Sequence, residues 1–393
     1  MTRSAVRSRA ELRATRERHP AARRGTPPPR RGSGVHFWGI ALIVAILTML
    51  GVVMVLSASS VMALSREGSG LVYFQKQLLW AALGVAALLV TLRVPLHFWR
   101  RLTGVALLVS FSLMVAVLLP GVGREVNGAR AWIDIGPLGF QPAELMKLAL
   151  LLYTADLLTR RADRMNEART TLGPPLVLLG AAGVLIMVQP DLGSGLVLVA
   201  IVLAIAFIGG TPLVPLATVS AGAGLLGLLF VASAPYRRDR WLAFLDLASH
   251  RADEGFQVWQ SLVGIASGGI TGTGLGAGKS KWGFLPEAHT DFIFAILAEE
   301  LGLVGVVVVC ALFAALGVLG IQVALRAEDR YAMLLAGGIT AWLVVQALIN
   351  IGGVVGMLPL TGLTLPFLSF GGTSLLVSMA AAGLLLNVAR DVR

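Results

Sequence analysis

The chain has 393 residues, 56% of them hydrophobic and only 13% charged, with a mean hydropathy of +0.81 and a formal net charge of +11. A soluble domain of this length needs far more charge to cover its surface, so that class is excluded and a polytopic membrane protein is expected. The single cysteine, Cys310, lies in a Val/Leu run, which rules out an intrachain disulfide and reads as a small buried apolar residue.

Residues 1–34 hold ten arginines and two glutamates, hence +8 of the total charge. Rich in Arg, Pro and Ala and without an apolar core, residues 1–35 read as a disordered basic cytoplasmic tail. No small-residue cleavage pattern follows a short apolar stretch, so a cleaved signal peptide is not expected. The charge reads as a positive-inside signal beside anionic membrane lipid, with docking of a cytoplasmic partner as the alternative. Nucleic acid is not an expected partner, since no aromatics interleave the arginines.

Residues 36–393 read as one all-α membrane domain of about ten helices, at about 20 apolar residues per crossing. The candidates lie near 36–63, 74–92, 99–120, 142–159, 173–189, 191–209, 211–233, 290–324, 329–355 and 366–388. Basic residues follow the even-numbered spans: Arg93, Arg100 and Arg101; Arg160, Arg161, Arg164 and Arg169; Arg326 and Arg330; Arg390 and Arg393. With the basic tail inside, both termini are cytoplasmic. Segments 121–141, 234–289 and 356–365 then lie outside, the second being a large loop between spans seven and eight.

Among the outer segments, Arg124 to Asp134 flows into Phe140-Gln141-Pro142-Ala143-Glu144-Leu145-Met146-Lys147. Pro142 suits a helix start, and Glu144 and Lys147, three apart, share a face and can pair. That pair is either structural or lines a polar cavity. Asp191, after Pro190 between two short spans, reads as a structural turn. In the large loop, Gly264 to Lys279 carries seven glycines in sixteen residues. With no strand before it and a position outside the cell, it is not a nucleotide loop. It is either a flexible lid or a close approach to phosphate aided by Lys279 and Lys281.

Pro286-Glu287-Ala288-His289-Thr290-Asp291 then opens the eighth span. Ionisable groups near membrane depth usually mark a site. Thr290 would cap that helix, with Asp291 in its first turn. Capping alone does not account for Glu287, His289 and the basic loop upstream, which together suit an anionic ligand presenting a hydroxyl to a carboxylate base. Glu299 and Glu300, deeper in the span, read as hydrogen-bonding groups that hold the bundle together. There is no His/Cys cluster for zinc.

Several of these runs carry a resemblance. Asn127-Gly128 through Trp132-Ile133, Phe140 through Lys147, Gln189-Pro190-Asp191-Leu192-Gly193, Phe284 through Phe292 and Pro366 through Ser374 occur in the order seen in the FtsW/RodA group, the SEDS polymerases of bacterial peptidoglycan. The chain resembles that family over nearly everything after residue 36. The basic tail, Gly255-Phe256-Gln257 and Gly274 to Lys279 lean toward the division branch, while Ala131 stands where members often have a second basic residue.

The resemblance implies a peptidoglycan glycosyltransferase in the bacterial cytoplasmic membrane, at the division septum. It would join lipid II units into β-1,4 glycan with inversion and release undecaprenyl pyrophosphate. Asp291 is then expected as general base, with Glu144, Lys147, Arg130, Lys279, Lys281, Glu287 and His289 binding substrate. Mg²⁺ or Mn²⁺ would sit between carboxylate and pyrophosphate, Asp291 being the candidate ligand, and no organic cofactor is expected. Expected partners are lipid II, a class B penicillin-binding protein for cross-linking and other divisome proteins. A lipid II flippase, an elongation-type polymerase and a non-catalytic division scaffold stand as alternatives.

Overall fold

The computed structural model describes residues 34–126, 128–136 and 138–392, so the basic tail and Asn127 lie outside the described residues. A helix occupies each of the ten predicted segments: α1 Val35–Glu67, α2 Val72–Arg93, α3 Leu96–Ala116, α4 Pro142–Arg160, α5 Gly173–Val188, α6 Leu192–Ile208, α7 Leu213–Ala232, α10 Ile293–Arg326, α11 Arg330–Val354 and α12 Gly372–Asp391. Between α7 and α10 lie α8 (Pro235–Leu245) and α9 (Phe256–Gly268). Seven of these helices are long and apolar enough to cross a membrane. The other three depart for visible reasons: α4 carries Glu144, Lys147 and Asp156, and α5 and α6 have only 16 and 17 residues.

The two short helices meet where Pro190 has no N–H to continue a helix. Asp191 caps α6, its Oδ1 accepting from Ser194 N at 2.9 Å. Segment 121–141, expected as a loop, instead forms an antiparallel sheet in the order β1 (Gly123–Val126), β2 (Ala129–Ile135), β3 (Leu138–Phe140). Ile133 is in register with Gly123 on one side and Phe140 on the other.

The interior runs through α11 and α12, whose Leu335, Ile339, Trp342, Leu384 and Leu385 are all buried. α2 and α12 pack so closely that a Cβ on Gly383 would lie 2.1 Å from Thr91 Oγ1. By contrast, α7 is nearly bare, with Leu213, Val214 and Leu225 to Leu229 largely exposed. That is a face suited to lipid, where an exposed leucine costs nothing. The same reasoning corrects the expectation for Cys310, which is exposed on α10 rather than buried.

The predicted single helix over 290–324 is also corrected. It begins at Ile293, and Gly302, at φ +67°, breaks it. A Cβ there would meet Gly272 N at 2.3 Å, so only glycine fits. The glycine-rich loop fills the gap: Thr273 N and Gly274 N donate to Glu299 O and Glu300 O at 3.0 Å each. In return, Leu303 N donates to Gly269 O at 2.9 Å and Val304 N to Ile270 O at 3.2 Å. Backbone groups released by the break are thereby paired, as burial requires.

Candidate functional site

The three segments expected outside converge at one end of the bundle around a cavity of about 880 Å³. Its walls come from α2, the β1–β2 hairpin, the Pro190 turn, α8, the Glu287–Asp291 turns and segment 359–374. The arginines of the opposite end are engaged elsewhere: Arg100 with Asp156, Arg160 with Asp156 at 2.8 Å, and Arg330 with Gly209 O at 2.6 Å. None of them lines the cavity.

Asp291 lies in the turns just before α10, so the predicted first-turn helix position is not realised. Thr290 does not cap the helix either. Its Oγ1 reaches back to Glu287 O at 3.1 Å and Glu287 Oε2 at 3.2 Å. Glu287 itself adopts φ +55°, a strained conformation for a side-chain-bearing residue of the kind that collects at functional sites.

The Asp291 turn is fixed by its backbone. Asn350 Nδ2, from α11, donates to Asp291 O at 2.9 Å and Leu363 O at 2.6 Å. The carboxyl accepts no hydrogen bond among the described residues and lines the cavity. Burial raises its pKa to about 7, helped by the negative charges of Glu287 and Asp191 and opposed by the Arg240 guanidinium. A carboxyl poised there exchanges a proton near neutral pH, which suits a general base. Backbone pinning with an uncommitted carboxylate is what the chemistry of such a base needs.

His289 is buried between Tyr73 and Phe370, with ring centroids 4.8 and 5.4 Å away, and its carbonyl accepts from Phe370 N at 2.9 Å. It lines the cavity as part of an aromatic wall. Glu144 lines it too and pairs with Lys147 at 2.7 Å; its Oε2 is buried without a partner. Lys147 is fully buried behind it and donates to Gln346 Oε1 at 3.2 Å, which also accepts from Trp342 Nε1 at 2.9 Å. Glu144 therefore faces the cavity and Lys147 holds it there.

Lys147, expected to bind substrate, is thus sealed behind Glu144, and three more expected substrate-binding residues lie elsewhere. Arg130 does not line the cavity and lies beside Glu125, 3.6 Å away, while Ala129, Ala131 and Trp132 of β2 line it. Lys279 is exposed outside the cavity, and its backbone N donates to Glu299 Oε1 at 2.6 Å. Lys281 is buried against Glu300 at 2.9 Å. The cavity cations are instead Lys76, Arg124, Arg237 and Arg240. Of these, Arg237 stacks on Phe230 at 3.7 Å, and Arg124 pairs with Asp134 at 3.3 Å. Lys76 and Asn350 carried no sequence signal beyond their polarity within apolar helices. Asp191, expected as a turn residue, is both the α6 cap and a cavity group.

This layout can be set beside known proteins. The family model described as cell cycle protein, spanning FtsW, RodA and SpoVE, matches residues 38–393. The chain belongs to this family. Stage V sporulation protein E of Bacillus subtilis is 40% identical over 358 residues, 90% of this chain and 97% of that protein. The probable peptidoglycan glycosyltransferase FtsW of Geobacter metallireducens is 42% identical over 355 residues, 90% and 94% of the two chains. Among solved structures, a chain of a peptidoglycan synthase complex that coordinates polymerization and crosslinking superposes with a TM-score of 0.73 at 32% identity. The Thermus thermophilus rod shape determining protein RodA superposes with a TM-score of 0.67 at 31% identity; each covers 90% of this chain and 97% of the other. The FtsW/RodA fold therefore extends over the whole membrane domain, and the protein is a multi-pass membrane protein.

The family's expected divalent cation is tested by the donors present. No group of three or more His, Cys, Asp or Glu among the described residues is placed to hold a metal. Asp191 is also spent on Ser194 N and, at 3.1 Å, on Gln141 Nε2. Asp291 and Glu287 remain, and Mg²⁺ typically takes one or two carboxylates and completes its shell with phosphate and water. The donor set thus fits a cation brought with a pyrophosphate, and does not fit a dedicated protein cage.

Proposed function

We propose that this chain is a peptidoglycan glycosyltransferase of the division type, polymerising lipid II at the outer face of the bacterial cytoplasmic membrane. The observation that carries this reading is the Asp291 carboxyl, which lines a cavity of about 880 Å³ together with Glu287, Glu144 and the cations Lys76, Arg124, Arg237 and Arg240 and accepts no hydrogen bond among the described residues. Asp291 accepts the proton from the C4 hydroxyl of the acceptor's N-acetylglucosamine. That oxygen bonds to the anomeric carbon of the donor's N-acetylmuramic acid as the bond to pyrophosphate breaks. Undecaprenyl pyrophosphate leaves as an anion, and attack from the opposite face converts the α-linked donor into a β-1,4 glycan.

Lys76, Arg124, Arg237 and Arg240 surround the cavity and would hold the pyrophosphates by charge. A divalent cation bound with the pyrophosphate would add neutralisation of the leaving group, with Glu287 as its protein ligand and Asp291 left free to take the proton. The Tyr73, His289 and Phe370 wall excludes water from one side, and Glu144 offers an acceptor for a substrate hydroxyl or amide. Because the cavity is confined to one end of the bundle, polymerisation at one face is favoured over carriage across the membrane. Ten crossings with cytoplasmic termini accord with the arginines at the other end. Similarity to a chain of a peptidoglycan synthase complex supports a class B penicillin-binding protein as partner at the septum.

The test is lipid II with a divalent cation and the purified chain, with and without that partner, products being resolved on a gel. The parent is expected to produce glycan ladders and Asp291→Asn, folded normally, none. Ladders from Asp291→Asn would remove Asp291 as base. No ladders from the parent even with partner would sink the polymerase reading and turn attention to lipid II transport in proteoliposomes.

A further inference from the structure

Lys281 and Glu300 lie off the cavity, with side chains only 3% and 0% exposed, and the chemistry above does not use them. The Lys281 ammonium spends its three N–H donors on Glu300 Oε1 at 2.9 Å, Gly276 O at 2.6 Å and Ser57 Oγ at 3.0 Å. Ser57 in turn donates to Glu300 at 2.7 Å, and Glu300 Oε2 accepts from Gly276 N at 3.0 Å. One ion pair therefore ties α1, the glycine-rich loop and the first half of broken α10. With every donor engaged inside the protein, Lys281 has none left for a phosphate.

Chain connectivity gives the pair its consequence. Lys281 and Glu300 are 19 positions apart, and the Glu287–Asp291 turns lie between them. The ion pair closes a loop around Asp291, fixing its upstream end at Lys281 and its downstream end through residues 293–300. Closing a loop reduces the conformations open to everything inside it. Stability alone is a weak reason for such a pair, because a buried ion pair replaced as a unit by uncharged groups of similar size is often no less stable.

We propose that Lys281 and Glu300, with Ser57, are positioning residues that hold the Asp291 turn in its reactive placement. The inference rests on the polymerase reading for its kinetic consequence, though its structural consequence stands alone. The informative variant is Lys281→Met/Glu300→Gln, which removes both charges and leaves neither buried unpaired. Lys281→Met alone strands a carboxylate and is expected to fold poorly.

In the monodisperse double variant, kcat for lipid II polymerisation should fall between about tenfold and a hundredfold, the cost of a small misplacement of a catalytic group. The KM for lipid II should stay within about twofold, since the cavity cations are untouched. Backbone hydrogen exchange across residues 285–292 should become faster. A double variant with parental kcat overturns the inference, as does parental exchange across 285–292. If the parent makes no glycan, the polymerase reading fails by itself, and faster exchange in the double variant still upholds the lock.

Discussion

As the proposed base, Asp291 would act only when ionised, so the burial that raises its pKa would also place the acid limb of activity near neutrality. The rate should climb with pH and level off above a midpoint near 7, where the carboxyl loses its proton. Its neighbours set the sign of each shift. Glu287→Gln removes a negative charge that disfavours ionisation and should lower the midpoint, while Arg240→Gln removes a stabilising cation and should raise it. Each shift should be about half a unit or more, read from kcat/KM across pH 5 to 9. Opposite movement in either variant would contradict the assignment. The acidic and histidine residues of this turn stood out in the sequence as a polar run abutting an apolar one. Asn350 did not, because it acts on Asp291 from 59 positions away. Lys281 was visible as a cation, but its burial against Glu300 follows from how the loop folds back.

Helix α10 shows how an element can satisfy its composition pattern and still not be regular. Residues 290–324 look like one apolar span, and Glu299 and Glu300 inside them would be costly in an unbroken helix facing lipid. The break at Gly302 resolves this by admitting the glycine-rich loop, whose backbone N–H groups reach Glu299 and Glu300. The expectation that those glutamates hold the bundle is therefore met through the loop. Gly302→Ala should destabilise the protein by at least about 2 kcal/mol, from the positive φ and the clash at Gly272, lowering its thermal midpoint in detergent. Gly317→Ala, in the regular part of the same helix with Val344 at 3.4 Å, is the control and should be near neutral. Equal effects from both would argue against a required break.

Over the whole molecule, the charge asymmetry predicts which end faces the cytoplasm, and the cavity predicts which end faces out. In a Cys310→Ser background on intact cells, Ile135→Cys and Ser249→Cys should react with a membrane-impermeant maleimide. Asp163→Cys and Glu328→Cys should react only after the membrane is opened. All four positions are exposed, so failure to label reports sidedness rather than burial. Reaction of Glu328→Cys on intact cells would overturn the proposed orientation.

By itself the sequence determined the class, the ten helical segments, the Glu144–Lys147 pair and the Glu287–His289–Asp291 run, because hydropathy, helix period and local polarity are written over short distances. Only the tertiary structure decided which cations share the cavity with Asp291, and it exchanged Arg130, Lys279 and Lys281 for Lys76, Arg124, Arg237 and Arg240. It also decided that α10 breaks and that segment 121–141 pairs as a sheet. The reason is physical: whether a charge meets a partner, a cavity or lipid depends on elements distant in the chain, and no local pattern records that distance.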